Sequence, residues 1–442
     1  MSDLPIRVSA RRAALLLLLC FSVAACQQHK SHRAGAGPAL NMEETREDAD
    51  VGAERSREED QRRERRDDPD YLFDPEELRT FELRLSEDDL AFLDDDPKAE
   101  QYVPGELHFE GRVVKPVGIR YKGSSGAFFG CLSNGGFPAT GSKICPKLSM
   151  KVKIDYSDPD AKFHGQKKLM FHAMNLDRSL LRERLGYSVF RDMDVHASRT
   201  THARLLINGQ FVGLFLLVEE IDGRFTRERF GDGGKGNLYK EVWPIDDDAD
   251  RYLNALESNR DEDPQVDKML AFARDLREAD DETLPQVVAD WLDRDYTARF
   301  VAVDRTIRHD DGPYHWYCQA NTVTDSAPWH RQHAIGDMNC GNHNYYWYED
   351  SDADRFWPIP WDLDNAFPAR PGFTFVRANW DDLSYDCQTP IDGGVFGRQL
   401  PAACDPLQRG WTLNLARRVQ GAQKALVEGP LSRREVADKL DR

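Results

Sequence analysis

The chain has 442 residues, 40% of them hydrophobic, and a formal net charge of −18. That length allows one large domain or two smaller ones. The acidic balance argues against non-specific nucleic-acid binding, which needs a basic surface.

Arg11 and Arg12 precede an apolar run from Ala13 to Ala25. A positive segment followed by a short apolar one is a secretory signal. The run is shorter than the roughly 20 apolar residues of a membrane-spanning helix. It ends in Val23-Ala24-Ala25-Cys26, which resembles the bacterial lipobox. That implies a lipid on Cys26, a mature chain starting there and a bacterial envelope location. The plainer reading is an ordinary cleaved signal with a chance cysteine. Residues 26–70 are polar and charged, with acids and arginines alternating from Glu44 to Asp68. Such a segment cannot bury a core and reads as a disordered tether.

Order is expected from about Tyr71. Thr80 to Leu85 alternates as a strand does, and Tyr102 to Tyr121 continues in that style. A flexible turn, Lys122 to Gly126, precedes another strand from Lys147 to Ile154. Arg178 to Met193 carries Leu181, Leu185, Val189 and Met193 at helical spacing, with Asp177 or Ser179 as cap. Ala203 to Ile221 reads as a hairpin about Asn208-Gly209. A short strand covers Asn237 to Lys240. Asp246 to Arg308 is helical in pattern, and two strands lie near His343–Tyr348 and Arg355–Pro360. A polar helix is expected from Gln420 to Leu440. The sum is α+β in two lobes, a β-rich front and a helical back, with a cleft between them.

Six cysteines follow Cys26: Cys131, Cys145, Cys318, Cys340, Cys387 and Cys404. An even count in an exported chain reads as disulfides. Nearest neighbours are the preferred pairs: 131–145, 318–340 and 387–404. The absence of a CxxC pair argues against a zinc ribbon or a thioredoxin-type site.

Chemistry-bearing residues concentrate late in the chain. His309-Asp310-Asp311-Gly312, Gly341-Asn342-His343-Asn344 and Trp361-Asp362-Leu363-Asp364-Asn365 are three short polar segments. Converging carboxylates and an amide can hold a divalent cation, and a further carboxylate can accept a proton. The bland alternative is turn-capping. Asp350, Asp352 and Asp354 suggest a calcium loop, but Arg355 and Trp361 stand where an EF-hand needs Gly and Glu. His309, His315, His330, His333 and His343 could hold a transition metal, although loop histidines are more often surface or hydrogen-bonding groups. The aromatic residues from Tyr314 to Tyr348 read as core or cleft wall rather than a carbohydrate site.

Six motifs in order then resemble the spore-coat CotH protein kinase family. They are Arg120-Tyr-Lys-Gly-Ser-Ser125, Lys147-Leu-Ser-Met-Lys-Val-Lys-Ile154, and Asp177-Arg-Ser-Leu-Leu-Arg-Glu183. Then come Ile207-Asn-Gly-Gln-Phe-Val-Gly-Leu214 with Val218-Glu-Glu-Ile-Asp222, Asn344-Tyr-Tyr-Trp-Tyr348, and Ile359-Pro-Trp-Asp-Leu-Asp364. The resemblance covers Tyr71 to Phe367 and leaves 368–442 as a cysteine-bearing extension.

The resemblance implies an atypical kinase fold that uses ATP and Mg²⁺, or Mn²⁺, to phosphorylate a protein. Asp362, Asn344 and Asp364 are the implied metal ligands. Lys151 is the implied phosphate lysine, and Glu183 the glutamate that orients it. Glu219 and Glu220 fall where a kinase hinge meets adenine. The family's catalytic aspartate lies shortly before the asparagine, where this chain has Asn339. Asp311 is therefore taken as the base, with Asp310 and Asp337 as rivals and Thr322 to Cys340 as an insertion. Without a base in the cleft, the chain is a binding or envelope-structural lipoprotein.

Overall fold

The computed structural model describes residues 68–441, apart from 124–126, 136–138, 246, 261–263, 319–339, 369–380, 385–390, 393–397 and 400–401. The signal, Cys26, nearly all of the tether, Asp337, Asn339 and Cys387 lie outside the described residues. Among the described residues, no helix is long and apolar enough to cross a membrane.

Alternating strands near the start of the described chain close on themselves. They are β1 (Arg79–Arg84), β2 (Val103–Phe109), β3 (Arg112–Tyr121), β4 (Leu132–Asn134), β5 (Thr140–Lys143), β6 (Met150–Lys153), β7 (Lys168–His172), β8 (Thr200–Ile207) and β9 (Gln210–Val218). Seven form a barrel in the order β1-β2-β3-β6-β7-β9-β8, sealed where β1 runs parallel to β8. Phe81, Leu83, Leu107, Val117, Ile119, Val152, Leu205 and Leu217 are buried in this part of the fold. The period of two sorts β6: Met150 and Val152 are buried while Lys151 and Lys153 are only partly covered. The β8–β9 turn places Asn208 and Gly209 at φ +48° and +79°, the two left-handed positions that an Asn-Gly hairpin turn requires. β4 and β5 form a separate hairpin between β3 and β6, and Cys131–Cys145 bridges its base as expected.

The helix Arg182–Asp192 follows β7. It starts four residues later than its apolar spacing predicts, because Leu180 turns to φ +59°. Asp177 still serves the helix start, accepting from the backbone N–H of Leu181 and Arg182 at 2.8 Å each. Its inner face buries Glu183, Gly186, Tyr187, Val189 and Phe190. At Gly186 a Cβ would sit 2.9 Å from Leu363 Cδ1. Any larger residue there would require the Leu363 side chain to shift.

The second core surrounds a three-stranded sheet as well as helices. β10 (Asn237–Lys240) pairs with β13 (Tyr345–Asp350), and β13 with β14 (Arg355–Pro360). Between them in sequence lie the short β11 (Tyr317–Cys318) and β12 (Cys340–Gly341), whose register sets Cys318 opposite Cys340. The helices Asp267–Glu278, Leu284–Trp291 and Arg294–Thr306 pack here. The helix Pro406–Glu428 lies against Leu284–Trp291 and Arg294–Thr306, burying Leu407, Trp411 and Leu415. Trp243 stands at the centre, 5.6–5.7 Å from the rings of Trp316, Trp347 and Trp411. Cys404 is disulfide-bonded as well.

Asp405 caps the helix Pro406–Glu428, accepting from Gln408 N–H at 2.8 Å and Trp243 Nε1–H at 3.0 Å. Burial pushes its carboxyl up to about 7. A raised folded-state pKa contributes stability fully below the ordinary value near 3.8, and that stability is lost as pH rises through about 7. Asparagine keeps the cap and the acceptor without the charge. Asp405→Asn is therefore expected to stabilise the protein at pH 8 by on the order of 2–4 kcal/mol and to change little at pH 4.5. Urea denaturation at the two pH values checks this; equal effects at both would refute it.

Candidate active site

The barrel's β3 and β7 ends, the helix Arg182–Asp192 and the segment after β14 bring one group of side chains together. Lys122 leaves β3 with its N–H on the Ser149 carbonyl at 2.9 Å. Its Nζ reaches His172 Nε2 at 2.6 Å. His172 Nδ1 lies 2.7 Å from Glu183 Oε1. An ammonium only donates, so Nε2 accepts and Nδ1–H points to the carboxylate. Burial, with Lys122 beside it, lowers His172 to about 3, so the ring is neutral. Burial lowers Lys122 to about 8, although Asp362 and Glu183 pull it upward. The Lys122 ammonium also stands 5.6 Å from the centre of the Trp361 ring.

Asp362 is held by its backbone. Its N–H donates to Tyr187 Oη at 3.0 Å, and its carbonyl accepts from His309 Nε2 at 3.1 Å. Its φ is +47°, a left-handed conformation that costs most residues energy and that Asp and Asn tolerate best. Strain of this kind gathers at functional sites. Asp364 follows two residues later in a short 3₁₀ turn, Leu363–Asn365. Burial pushes Asp364 well above the carboxylate range, and Asp362, Glu183 and Asp311 add to the push. Burial and Asp362 raise Glu183 in the same direction. Crowded acids left this uncomfortable favour a cation among them.

Asn344, at φ +65°, fixes the neighbouring loop. Its Nδ2 donates to the Asp311 carbonyl at 2.9 Å, and its own carbonyl accepts from Trp361 N–H at 3.1 Å. Asn365 Nδ2 stands between Asp364 Oδ1 (2.9 Å) and Asp311 Oδ2 (3.5 Å). Asp311 is partly exposed and beside Asp364, whereas Asp310 is buried at 4% exposure. Asp362, Asp364, Asn344, Asp311 and Glu183 thus converge, drawn from widely separated segments.

Lys151 departs from expectation. Its Nζ is paired with Glu220 Oε1 at 2.8 Å, and Lys168 joins the same oxygen at 3.2 Å. Burial pushes Glu220 up, but the two lysines outweigh it and hold it below the ordinary range. The expected partnership of Lys151 with Glu183 is therefore corrected: Lys122 is the lysine beside the Glu183 cluster. The strand period is the reason. Residues flanking Lys151 fill the barrel, so its own side chain leaves on the other face, whereas Lys122 lies where β3 ends. Glu219 takes no part in the site; it is buried between Arg199 and Arg229. His315 Nδ1 bonds the Asp310 carbonyl, and His309 is committed to Asp304 and Asp362. Among the described residues neither belongs to a group of metal-ligating side chains, and His330 and His333 lie outside the described residues.

Lys122, His172 and Tyr187 escaped the sequence reading as site residues, and His309, weighed there as a transition-metal ligand, instead holds the Asp362 carbonyl. Lys122 stood inside a quoted motif, the Arg120–Ser125 turn. His172 had no signal beyond following an apolar strand.

A β-barrel joined to a helical lobe, with lysine and carboxylates at the junction, defines a kinase-like α+β protein. The CotH kinase protein family model matches residues 119–372, more than half of the chain and every convergent residue named above. The chain belongs to the CotH kinase family. No curated protein matches it. One matching solved structure is the Shewanella oneidensis MR-1 HipA–HipB toxin–antitoxin complex with its operator DNA, at 14% identity and a TM-score of 0.20. That match covers 62% of this chain and 55% of the other, so this chain spans little more than half of its length.

Proposed function

We propose that this chain is an exported kinase that uses ATP and a divalent metal to phosphorylate a protein hydroxyl. The observation that carries it is the convergence of Lys122 with Asp362, Asp364, Asn344 and Asp311 inside the region that matches the family. Asp362, Asp364 and the Asn344 amide oxygen are hard oxygen donors, and the raised carboxyls of the cluster fit a divalent cation. Mg²⁺ or Mn²⁺ held there would neutralise charge between phosphate groups. Lys122 binds phosphate oxygens with its ammonium, and Lys151 with Glu220 borders the nucleotide. Asp311 accepts the proton as the acceptor hydroxyl attacks the γ-phosphorus; the bond to the β-phosphate oxygen breaks and ADP leaves.

Export rests on the N-terminal signal, with Cys26 as the lipid-bearing residue and the membrane as its anchor. The Cys131–Cys145 disulfide fits an oxidising compartment. The test is phosphate incorporation from labelled ATP into a generic protein acceptor with Mg²⁺ or Mn²⁺. Incorporation supports the kinase. No incorporation and no ATP-induced thermal shift would leave a binding lipoprotein on a kinase scaffold.

The two lysines give a sharper prediction. Lys122→Met is expected to weaken ATP binding by about tenfold or more, because a charge-assisted phosphate contact is lost. Lys151→Met is expected to weaken it by a smaller factor, because Lys168 still pairs with Glu220. Fluorescent nucleotide titration of both variants decides. The reverse order would restore Lys151 as the phosphate lysine.

A further inference from the structure

We propose that His172 is the positioning residue for the phosphate lysine: its imidazole bridges Lys122 to Glu183, in place of the direct lysine–glutamate ion pair that aligns the lysine in protein kinases. The inference rests on the nucleotide reading above and adds a residue to it.

Lys122 Nζ and Glu183 Oε1 lie on opposite sides of one ring, 2.6 Å from Nε2 and 2.7 Å from Nδ1. The ring spans the gap between them. Its hydrogen bonds run one way: Nε2 accepts from the ammonium, and Nδ1–H donates to Glu183, whose oxygen accepts whether or not the carboxyl is ionised. An acceptor at Nδ1 selects that same tautomer.

The ring is itself fixed. His172 is 5% exposed at the end of β7, opposite Leu216 of β9. It meets the Trp361 ring edge-on, with centres 5.8 Å apart and planes at 88°. Ser149, inside the Lys147–Ile154 motif, ties down both ends of the bridge. Its carbonyl accepts from Lys122 N–H at 2.9 Å, and its hydroxyl accepts from Ala173 N–H at 2.8 Å. One residue thus sets the strand carrying Lys122 against the strand carrying His172.

The chemistry favours a ring over a carboxylate. A lysine stem is flexible, and ordering it before the nucleotide arrives strengthens binding. A carboxylate partner would order it but would also claim its charge. The imidazole takes one of three ammonium donors and leaves the charge and two donors for phosphate oxygens. Glu183 acts through the ring. Without it the ring can turn an N–H toward Lys122, donor against donor.

The full chain is titrated with a fluorescent ATP analogue, with ATP and adenosine as competitors, as wild type, His172→Leu, Glu183→Leu and the double variant. His172→Leu is expected to weaken ATP at least about fivefold, because a charge-assisted contact is misplaced. Adenosine has no phosphate and is expected to change less than about twofold. Glu183→Leu alone is expected to weaken ATP, and to add less than about twofold to His172→Leu, because its effect passes through the ring. Unchanged ATP affinity in His172→Leu, equal losses for ATP and adenosine, or fully additive losses overturn the bridge while the kinase reading stands. Wild type that binds no ATP removes both. If His172→Leu does not fold, ¹⁵N NMR of selectively labelled histidines in wild type and Lys122→Met decides. An unprotonated Nε2 whose resonance moves in Lys122→Met supports the bridge. A protonated Nε2, or one indifferent to Lys122→Met, overturns it.

Discussion

Asp362→Asn is expected to cut phosphate transfer by at least about 10²–10³-fold, the scale at which one positioned electrostatic group acts in a transition state, while leaving the fold as stable as before or more so. The two effects come from one cause. Asp362 is the acid whose charge reaches Glu183, Asp364 and Lys122 together. Neutralising it removes one of the charged oxygens that the proposed metal would need. It also relieves the repulsion that helps to push Glu183 and Asp364 upward. The backbone is spared: asparagine tolerates φ +47°, the N–H still meets Tyr187, and the carbonyl still meets His309. Transfer assays and thermal melts on one preparation test both halves. A variant with lowered melting temperature would make Asp362 a structural residue, and one with retained transfer would remove it from the site.

Local pattern carried most of the fold. The alternation in Thr80–Leu85, the Asn208-Gly209 turn and the apolar spacing of the helix Arg182–Asp192 each describe neighbours in sequence, and each element stands within a few residues of its expected place. Barrel closure was not legible, because β1 meets β8 across more than a hundred residues. The site divides in the same way. Asp362, Asp364 and Asn344 lie in short polar runs that announce themselves. The partner of Glu183 did not, because choosing between Lys122 and Lys151 depends on which barrel face each lysine leaves from. His172 was hidden for a related reason: one polar residue ending an apolar strand looks like any satisfied core histidine until Glu183 and Lys122 are folded onto it. The base remains a reading of residue order and exposure, with Asp311 favoured over Asp310 because Asp310 is buried.

The largest stability effect is expected one layer behind the site, at Asp304. Its carboxylate is fully buried and takes Arg305 Nε at 2.9 Å, Arg305 Nη2 at 2.6 Å and His309 Nδ1 at 3.1 Å. Burial pushes Asp304 up, but Arg305 and His309 win and hold it below the ordinary range. Burial pushes His309 down, but Asp304 wins and holds it above. The signs then fix a pH window. The depressed carboxyl contributes stability above its unfolded value near 3.8, lost as pH falls through the folded value. The raised imidazole contributes below 6.5, lost as pH rises through its folded value. The contributions overlap between about pH 4 and 6.5. Asp304→Ala strands a buried guanidinium and imidazole, and is expected to cost about 3–5 kcal/mol, most of all near pH 5–6. Asp304→Asn keeps one acceptor for His309 and is expected to cost less. His309 holds the Asp362 carbonyl, so the damage reaches the site through position rather than contact. Asp304→Asn should therefore lower the rate of transfer more than it weakens ATP binding, with a pH profile displaced from wild type. Urea denaturation at pH 6 and pH 8 settles the first claim; a loss below about 1 kcal/mol for Asp304→Ala would show that the trio acts as an exposed pair does and supports nothing behind Asp362.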